Sequence, residues 1–507
     1  MRGGHGSGER RARAFDRLLA DLRAGGIVVT AHCSTSERSP LPAGKPLLVA
    51  VASRETKWTI GAVGVGVLCV SQFVDVLSIN AAVIALPDIR SDLGMSAGSA
   101  QWVISAYALL FGSLLLFSGR LADRVGHRRL FAIGLATFGA GSALCGVAQS
   151  GAMLVVARAG TGAAAALTVP AALALLVAGT DEDRRPRALG WWTAAGAAGT
   201  VAGLAVGGVL TDVAGWRAAF AVPAVVSIGC LLLVGTIGDA PEPADRRPLD
   251  LGGALAAVAG LALALAALSG IAAGGPGAAT WAALAGAVLM LAAFAAIERR
   301  ARWPLLPRAA FANRSLVAGT VASAVNTAAT SPLAVLGAVY LQDVRGWSAA
   351  ANGLSFVPFG LMVITGSAVG AVLVGRLGAR RTLAGAQCLL VAMPLVSCAI
   401  TADAGEAILL SAWAIDGLGL GCAAVVATTL GTTGVAESDR GFAAGLINTA
   451  TQLGTAVSIA LLVPLAAAAS SDTVVGLRIA FVVTAAIALA GGATTLTLLR
   501  RRDAISA

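Results

Sequence analysis

Gly119-Arg-Leu-Ala-Asp-Arg-Val-Gly-His-Arg-Arg129 stands between two apolar runs, 101 to 118 and 130 to 148. With an acid and four arginines it is too polar for hydrocarbon, and it is too short to form a domain. It reads as a tight aqueous turn joining two helices, each long enough to cross about 30 Å of lipid. A shorter relative, Gly375-Arg-Leu-Gly-Ala-Arg-Arg381, lies between runs 353 to 373 and 382 to 401 and matches the first once four residues are deleted, but it lacks the acid. Both turns follow the second run of a set of six, which predicts two homologous halves of the kind transporters are built from.

Outward from these turns the same alternation continues. The 507 residues are 57% hydrophobic and 12% charged, against roughly 25% charged in soluble domains, so lipid is the expected solvent. The runs predict helices over 58–86, 101–118, 130–148, 153–178, 190–210, 219–237 and 251–273, then 281–298, 315–341, 353–373, 382–401, 407–431, 442–467 and 477–499. The expected fold is all-α and integral to the membrane. Its domains are a basic tail (1–57), a six-helix bundle (58–237), a proline-rich linker (238–250), two inserted helices (251–300), a second six-helix bundle (301–499) and a short tail (500–507).

Charge tests that parse. When the loops are assigned alternately to two sides, all 36 Lys and Arg residues except Arg90, Arg158, Arg217, Arg345 and Arg478 fall on one side. The positive-inside rule makes that side cytoplasmic and puts both termini there. An odd helix count would scramble the asymmetry. The net charge of +10 therefore reads as topology, and no nucleic-acid partner is expected. Within the tail, Phe15, Leu18, Leu19 and Leu22 fall at helical spacing among arginines; this is a helix lying on anionic lipid, or a disordered tail, or the product of an upstream start codon wrongly chosen.

Six of the seven cysteines sit singly in apolar runs, and the three histidines form no cluster. Neither a metal site nor a nucleophile paired with a base is legible, so no enzyme and no cofactor are expected.

The intramembrane charges carry the chemistry. Arg158 costs roughly 2.5–3.5 kcal/mol at a helix centre, so it should face water or an anionic partner. Asp75 is the expected partner. A carboxyl beside a guanidinium, alternately wet and dry, can take up and release a proton; a structural ion pair locking helix 1 to helix 4 is the alternative. Asp416, one turn beyond Trp413, is a second intramembrane acid, suited to a proton or to a lipophilic cation held against the aromatic face. Asn326, Asn448 and Gln452 either line the same cavity or tie helices together. Gly199, Gly203 and Gly207 give helix 5 a smooth ridge, read first as packing.

These motifs together resemble the fourteen-helix drug:proton antiporter group of the major facilitator superfamily, from about Trp58 to Arg502. Gly119–Arg129 resembles its signature loop; Val155-Val-Ala-Arg-Ala-Gly-Thr-Gly162 resembles its helix 4, with Thr161-Gly162 where Gln-Gly is usual. The glycine ridge resembles its helix 5 signature, with Leu204 in place of proline. Asp75 stands twelve residues before Pro87 rather than nine. Gly215-Trp-Arg217, 297–307 and Tyr340-Leu-Gln342 add support. The resemblance implies that Gly119 and Gly126 permit the tight turn, and that Asp123, Arg124 and Arg128 join the two half-domains and lock a cytoplasmic gate. It implies a monomeric proton-coupled exporter of small hydrophobic or cationic compounds, of multidrug or antibiotic-resistance type, in a bacterial plasma membrane. The alternatives are a dedicated exporter of one endogenous metabolite and a non-transporting receptor of the same fold.

Overall fold

The computed structural model describes residues 60–181, 184–237, 250–272, 277–301, 312–403, 405–432, 435 and 440–503. The tail 1–57, most of the linker 238–250, and residues 504–507 lie outside them. In hydrocarbon every backbone N–H and C=O needs an internal partner, and the apolar runs accordingly fold as helices. Fourteen long helices lie among the described residues. The first seven are α1 Ala62–Ile84, α2 Trp102–Val125, α3 His127–Gly146, α4 Gly151–Ala178, α5 Arg185–Ala214, α6 Trp216–Leu233 and α7 Leu251–Ala272. The second seven are α8 Ala278–Arg300, α9 Arg314–Val339, α10 Val357–Leu377, α11 Ala379–Ser397, α12 Glu406–Thr432, α13 Arg440–Ala468 and α14 Thr473–Asp503. Among the described residues, thirteen helical segments are long and apolar enough to cross a membrane. The helix that falls short, α11, carries Arg380, Arg381 and Gln387, yet it packs between α12 and α14.

Packing repeats from half to half. In the first group α1 lies on α5, α2 on α4, and α3 on α4 and α6; in the second α9 lies on α13, α10 on α12, and α11 on α12 and α14. The groups meet along two seams: α2 against α13, and α5 against α10 with the short helix Ala349–Ser355 that precedes it. The inserted helices α7 and α8 pack on each other, and α7 also rests on α2 and α13. Of α8's residues only Ala287 is buried, while Trp281, Val288 and Leu289 are more than half exposed. A helix apolar all round and still exposed is one that faces lipid.

The stretch Gly119–Arg129, expected as a loop, is mostly helical. α2 continues to Val125, a single glycine turns the chain, and His127 begins α3. Gly126 has φ +95°, and Gly378 in the second copy has φ +80°. Both positions require a left-handed backbone that L side chains avoid. The chain needs only one residue to reverse, so the charges of this motif project from the last turns of α2 and the first of α3.

Candidate functional site: a buried carboxylate and a cavity between the halves

Asp75 and Ser78 are one turn apart on α1 and share a face. Both are buried, as are Tyr107 on α2 and Arg158 on α4. The Tyr107 hydroxyl donates a hydrogen bond to Asp75 Oδ1. The Arg158 guanidinium lies over the Tyr107 ring, 4.4 Å from its centroid, and 5.7 Å from that of Phe220. Its Nε donates to the Val103 carbonyl at 3.0 Å and Nη1 to Ser78 Oγ at 3.3 Å; Nη2 finds no partner among the described residues. Among the described residues no ion pair joins Asp75 to Arg158. This corrects the direct pairing expected from the sequence: Tyr107 stands between acid and base, bonded to one through its hydroxyl and to the other through its ring. Close approach of α4 to α2 makes this possible, because a Cβ on Gly162 would lie 2.8 Å from Tyr107 Cα.

A cavity of about 220 Å³ lies between the two groups, walled by Asn80, Tyr107, Thr330, Phe356, Trp413, Asp416, Gln452 and Thr455 among others. Thr330 Oγ1 donates to Asp416 Oδ1 at 3.1 Å. Trp413 stacks on Phe356 with ring centroids 3.9 Å apart, and its indole N–H has no partner among the described residues. One half thus brings an acid and an aromatic pair to the wall, the other a tyrosine backed by an acid. Such a wall can hold a hydrophobic guest and complement a positive charge.

Of the other residues singled out from the sequence, Gln452 is on the wall. Asn448 is half-buried on α13 and off it. Asn326 is also off the wall, accepting from Gln387 Nε2 at 2.8 Å and so tying α9 to α11. Gly199, Gly203 and Gly207 press α5 onto α1, where added Cβ atoms would meet Phe73, Leu77 and Ala81. Arg124 is exposed and Arg128 half-buried; the side chain of Asp123 lies outside what is described. Arg158, Asp75 and Tyr107 form one constellation, and Asp416 with Trp413 another.

The seams close at the end of the bundle where α1 and α5 finish. Arg90 Nη1 lies 3.3 Å from Asp343 Oδ2, and Gln342 Nε2 donates to the Ile84 carbonyl at 3.1 Å. Asp212, on α5, accepts from the backbone N–H of Ala349 at 2.9 Å and of Ala350 at 3.0 Å, capping a helix of the opposite half. At the same end Asp92 accepts from Arg217 at 2.7 Å and from Trp216 at 3.0 Å, and these bonds hold its carboxyl below the usual range. Partial burial, then the neighbouring Asp212 charge, push the Asp88 carboxyl up. Outside the two bundles, Ser269 of α7 accepts from Gln101 Nε2 at 2.7 Å and donates to the Ala460 carbonyl of α13 at 3.0 Å. One hydroxyl therefore touches both halves.

Sequence reasoning missed Tyr107, Asp212 and Ser269. The first had a signal: the chain has two tyrosines, and Tyr107 sits in the middle of a membrane-spanning run, while Tyr340 stands at the end of one.

A sequence profile of the Major Facilitator Superfamily matches residues 68–459 and 322–506. The puromycin resistance protein of Streptomyces alboniger is 36% identical over 413 residues, 79% of this chain and 80% of that protein. The cephamycin export protein of Amycolatopsis lactamdurans is 35% identical over 433 residues, 83% of this chain and 88% of that one. Among solved structures, a peptide transporter bound to sulfate superposes with a TM-score of 0.67 at 19% identity, covering 88% of this chain and 97% of that one; this likeness speaks to the fold alone.

Proposed function

Because this chain belongs to the major facilitator superfamily, a family of multi-pass membrane transporters and not enzymes, we propose that it exports small hydrophobic or cationic compounds in exchange for protons by alternating access. The observation that carries the reading is the cavity between the halves, with Asp416 in its wall and Asp75 one side chain behind it. Both termini are placed in the cytoplasm of a bacterial cell by the charge asymmetry, which makes the end sealed by Asp212 and Arg90 the outer one. In this arrangement the outer gate is shut.

Asp75 carries the proton, and Arg158 holds a fixed positive charge beside it. Asp416 complements a cationic guest or carries a second proton. The signature segment, with Gly119, Asp123, Arg124, Gly126 and Arg128, latches the cytoplasmic end when that end closes. The unit works as a monomer. At roughly 2.3 kcal/mol per charge per 100 mV, one proton sustains about a fiftyfold gradient, enough for drug resistance. Relatives named for one antibiotic favour a second reading, a dedicated exporter of a single metabolite; a transport profile restricted to one compound class would select it.

Everted vesicles with an entrapped pH indicator test the coupling. Addition of puromycin or ethidium is expected to release protons with the wild type, to release none with Asp75→Asn, and to give a weakened response to the cation with Asp416→Asn. Proton release that survives Asp75→Asn would remove Asp75 from its role.

A further inference from the structure

Asp75 does not reach the cavity. The residues α1 contributes to the wall are Ile79, Asn80 and Val83, and Arg158 is likewise behind it. A guest in the cavity has no direct contact with the group assigned the proton. Tyr107 alone, among the described residues, both lines the cavity and bonds to Asp75.

We propose that Tyr107 is the positioning residue through which proton and substrate exclude one another, a reading that rests on Asp75 being the proton carrier. With Asp75 ionised, the phenol donates to the carboxylate, and its ring is held beneath the Arg158 guanidinium and edge-on to Phe111, 5.9 Å away. The ring then lies back in the wall and leaves the cavity open. When a proton adds to the free Asp75 carboxylate the negative charge is gone, and with it the charge assistance of the hydrogen bond. The ring is released toward the cavity and takes volume from a guest. By linkage the relation is reciprocal: a guest that holds the ring in the wall favours the ionised carboxylate and expels the proton. That is the sign an exporter driven by proton entry needs. The charged and titratable groups facing Asp75 are Tyr107 from α2 and Arg158 from α4, with Cys145 of α3 in the field of Arg158; α5 presents glycines to α1 and α6 presents Phe220.

The test uses the purified full chain in detergent with ethidium, whose charge does not change with pH, as the probe. Its affinity is read by fluorescence between about pH 5.5 and about pH 8.5, a window spanning neutral pH. Infrared difference spectra follow the protonated carboxyl band assigned to Asp75 by its loss in Asp75→Asn. Wild type is expected to bind ethidium about tenfold tighter at the alkaline end, the worth of one charge-assisted hydrogen bond. Tyr107→Phe removes only the hydroxyl and leaves the ring untethered from Asp75 at every pH. Its affinity is expected to vary less than about twofold over the same range while the Asp75 band still titrates.

Asp75→Asn is expected to be flat and to lack the band. A Tyr107→Phe profile that matches wild type, with Asp75→Asn flat, overturns the role of Tyr107 and leaves the proton carrier standing. A slope that persists in the Asp75→Asn/Asp416→Asn double variant, where the wall acid cannot contribute it, overturns both. A measurement free of any variant is the wild-type band itself, which ethidium is expected to diminish; a band indifferent to ethidium overturns the proposal.

Discussion

Replacing Asp212 by Ala should open the outer gate. Its carboxylate accepts two backbone N–H groups at the first turn of Ala349–Ser355, across the seam between the halves, and the third amide of that turn is met locally by Ser348 Oγ at 3.1 Å. Removing an acidic cap costs typically about 1 kcal/mol and up to about 2. Asp212 is exposed and water partly replaces what is lost, so about 1.4 kcal/mol is a fair figure, or tenfold in the equilibrium. A transporter with its outer end closed ~99% of the time would then close it ~91% of the time. Asp212→Asn, which keeps one neutral acceptor, should fall between. Spin labels at Ser96 and Ser471, both exposed and on loops at that end in opposite halves, would report the distance distribution by pulsed electron resonance. The expected result is a new, longer component in Asp212→Ala and a smaller one in Asp212→Asn. Distributions identical to wild type in both would refute the idea that this cap holds the gate.

Further outcomes follow from the packing and the charges. Gly203→Ala should lower stability by about 1–3 kcal/mol, because its Cβ would lie 2.6 Å from the Leu77 carbonyl oxygen; Gly160→Ala, with nothing within 4 Å, should not, and thermal unfolding in detergent compares them. Ser269→Ala strands the buried Gln101 amide, a loss of about 1–3 kcal/mol, and should loosen the α2–α13 seam, seen as faster hydrogen exchange in α7. The Asp92 carboxyl is held low by Arg217 and Trp216, so its stabilising effect is present above its unfolded value of about 3.9 and is lost as pH falls through the lower folded value. Asp92→Asn should therefore flatten the decline of the unfolding temperature below about pH 4 while lowering that temperature at neutral pH; an unchanged acid slope would deny Asp92 this role.

The helices were legible because each apolar run is about one membrane thickness long and the arginines sort by side. That argument identifies even α11, whose Arg380 and Arg381 make it too polar by length and composition alone, because loop parity demands a helix there. The intramembrane charges were legible individually, since burial in lipid makes any charge conspicuous. Their geometry was not. Asp75 and Arg158 invite a direct pair when read along the chain, and only the packing of Gly162 on α2 reveals that Tyr107 fills the gap. Asn326 looked equally suited to a cavity, but its partner Gln387 is 61 positions away and takes it out of the wall. The glycine ridge of α5 was readable as a packing surface because its spacing is local. Asp212 just beyond it was not, since the helix it caps belongs to the other half.

One arrangement has a mechanical side. α8 faces lipid along almost its whole length and rests on α7, and α7 touches both halves, through Leu265 and through the hydroxyl of Ser269. A bilayer thinner than α8 tilts that helix and a thicker one is compressed around it, and either strain has a short route to the α2–α13 seam. Turnover in vesicles should therefore depend on acyl-chain length, a dependence that Ser269→Ala should blunt; equal responses in the two proteins would show that the hairpin is only a passenger.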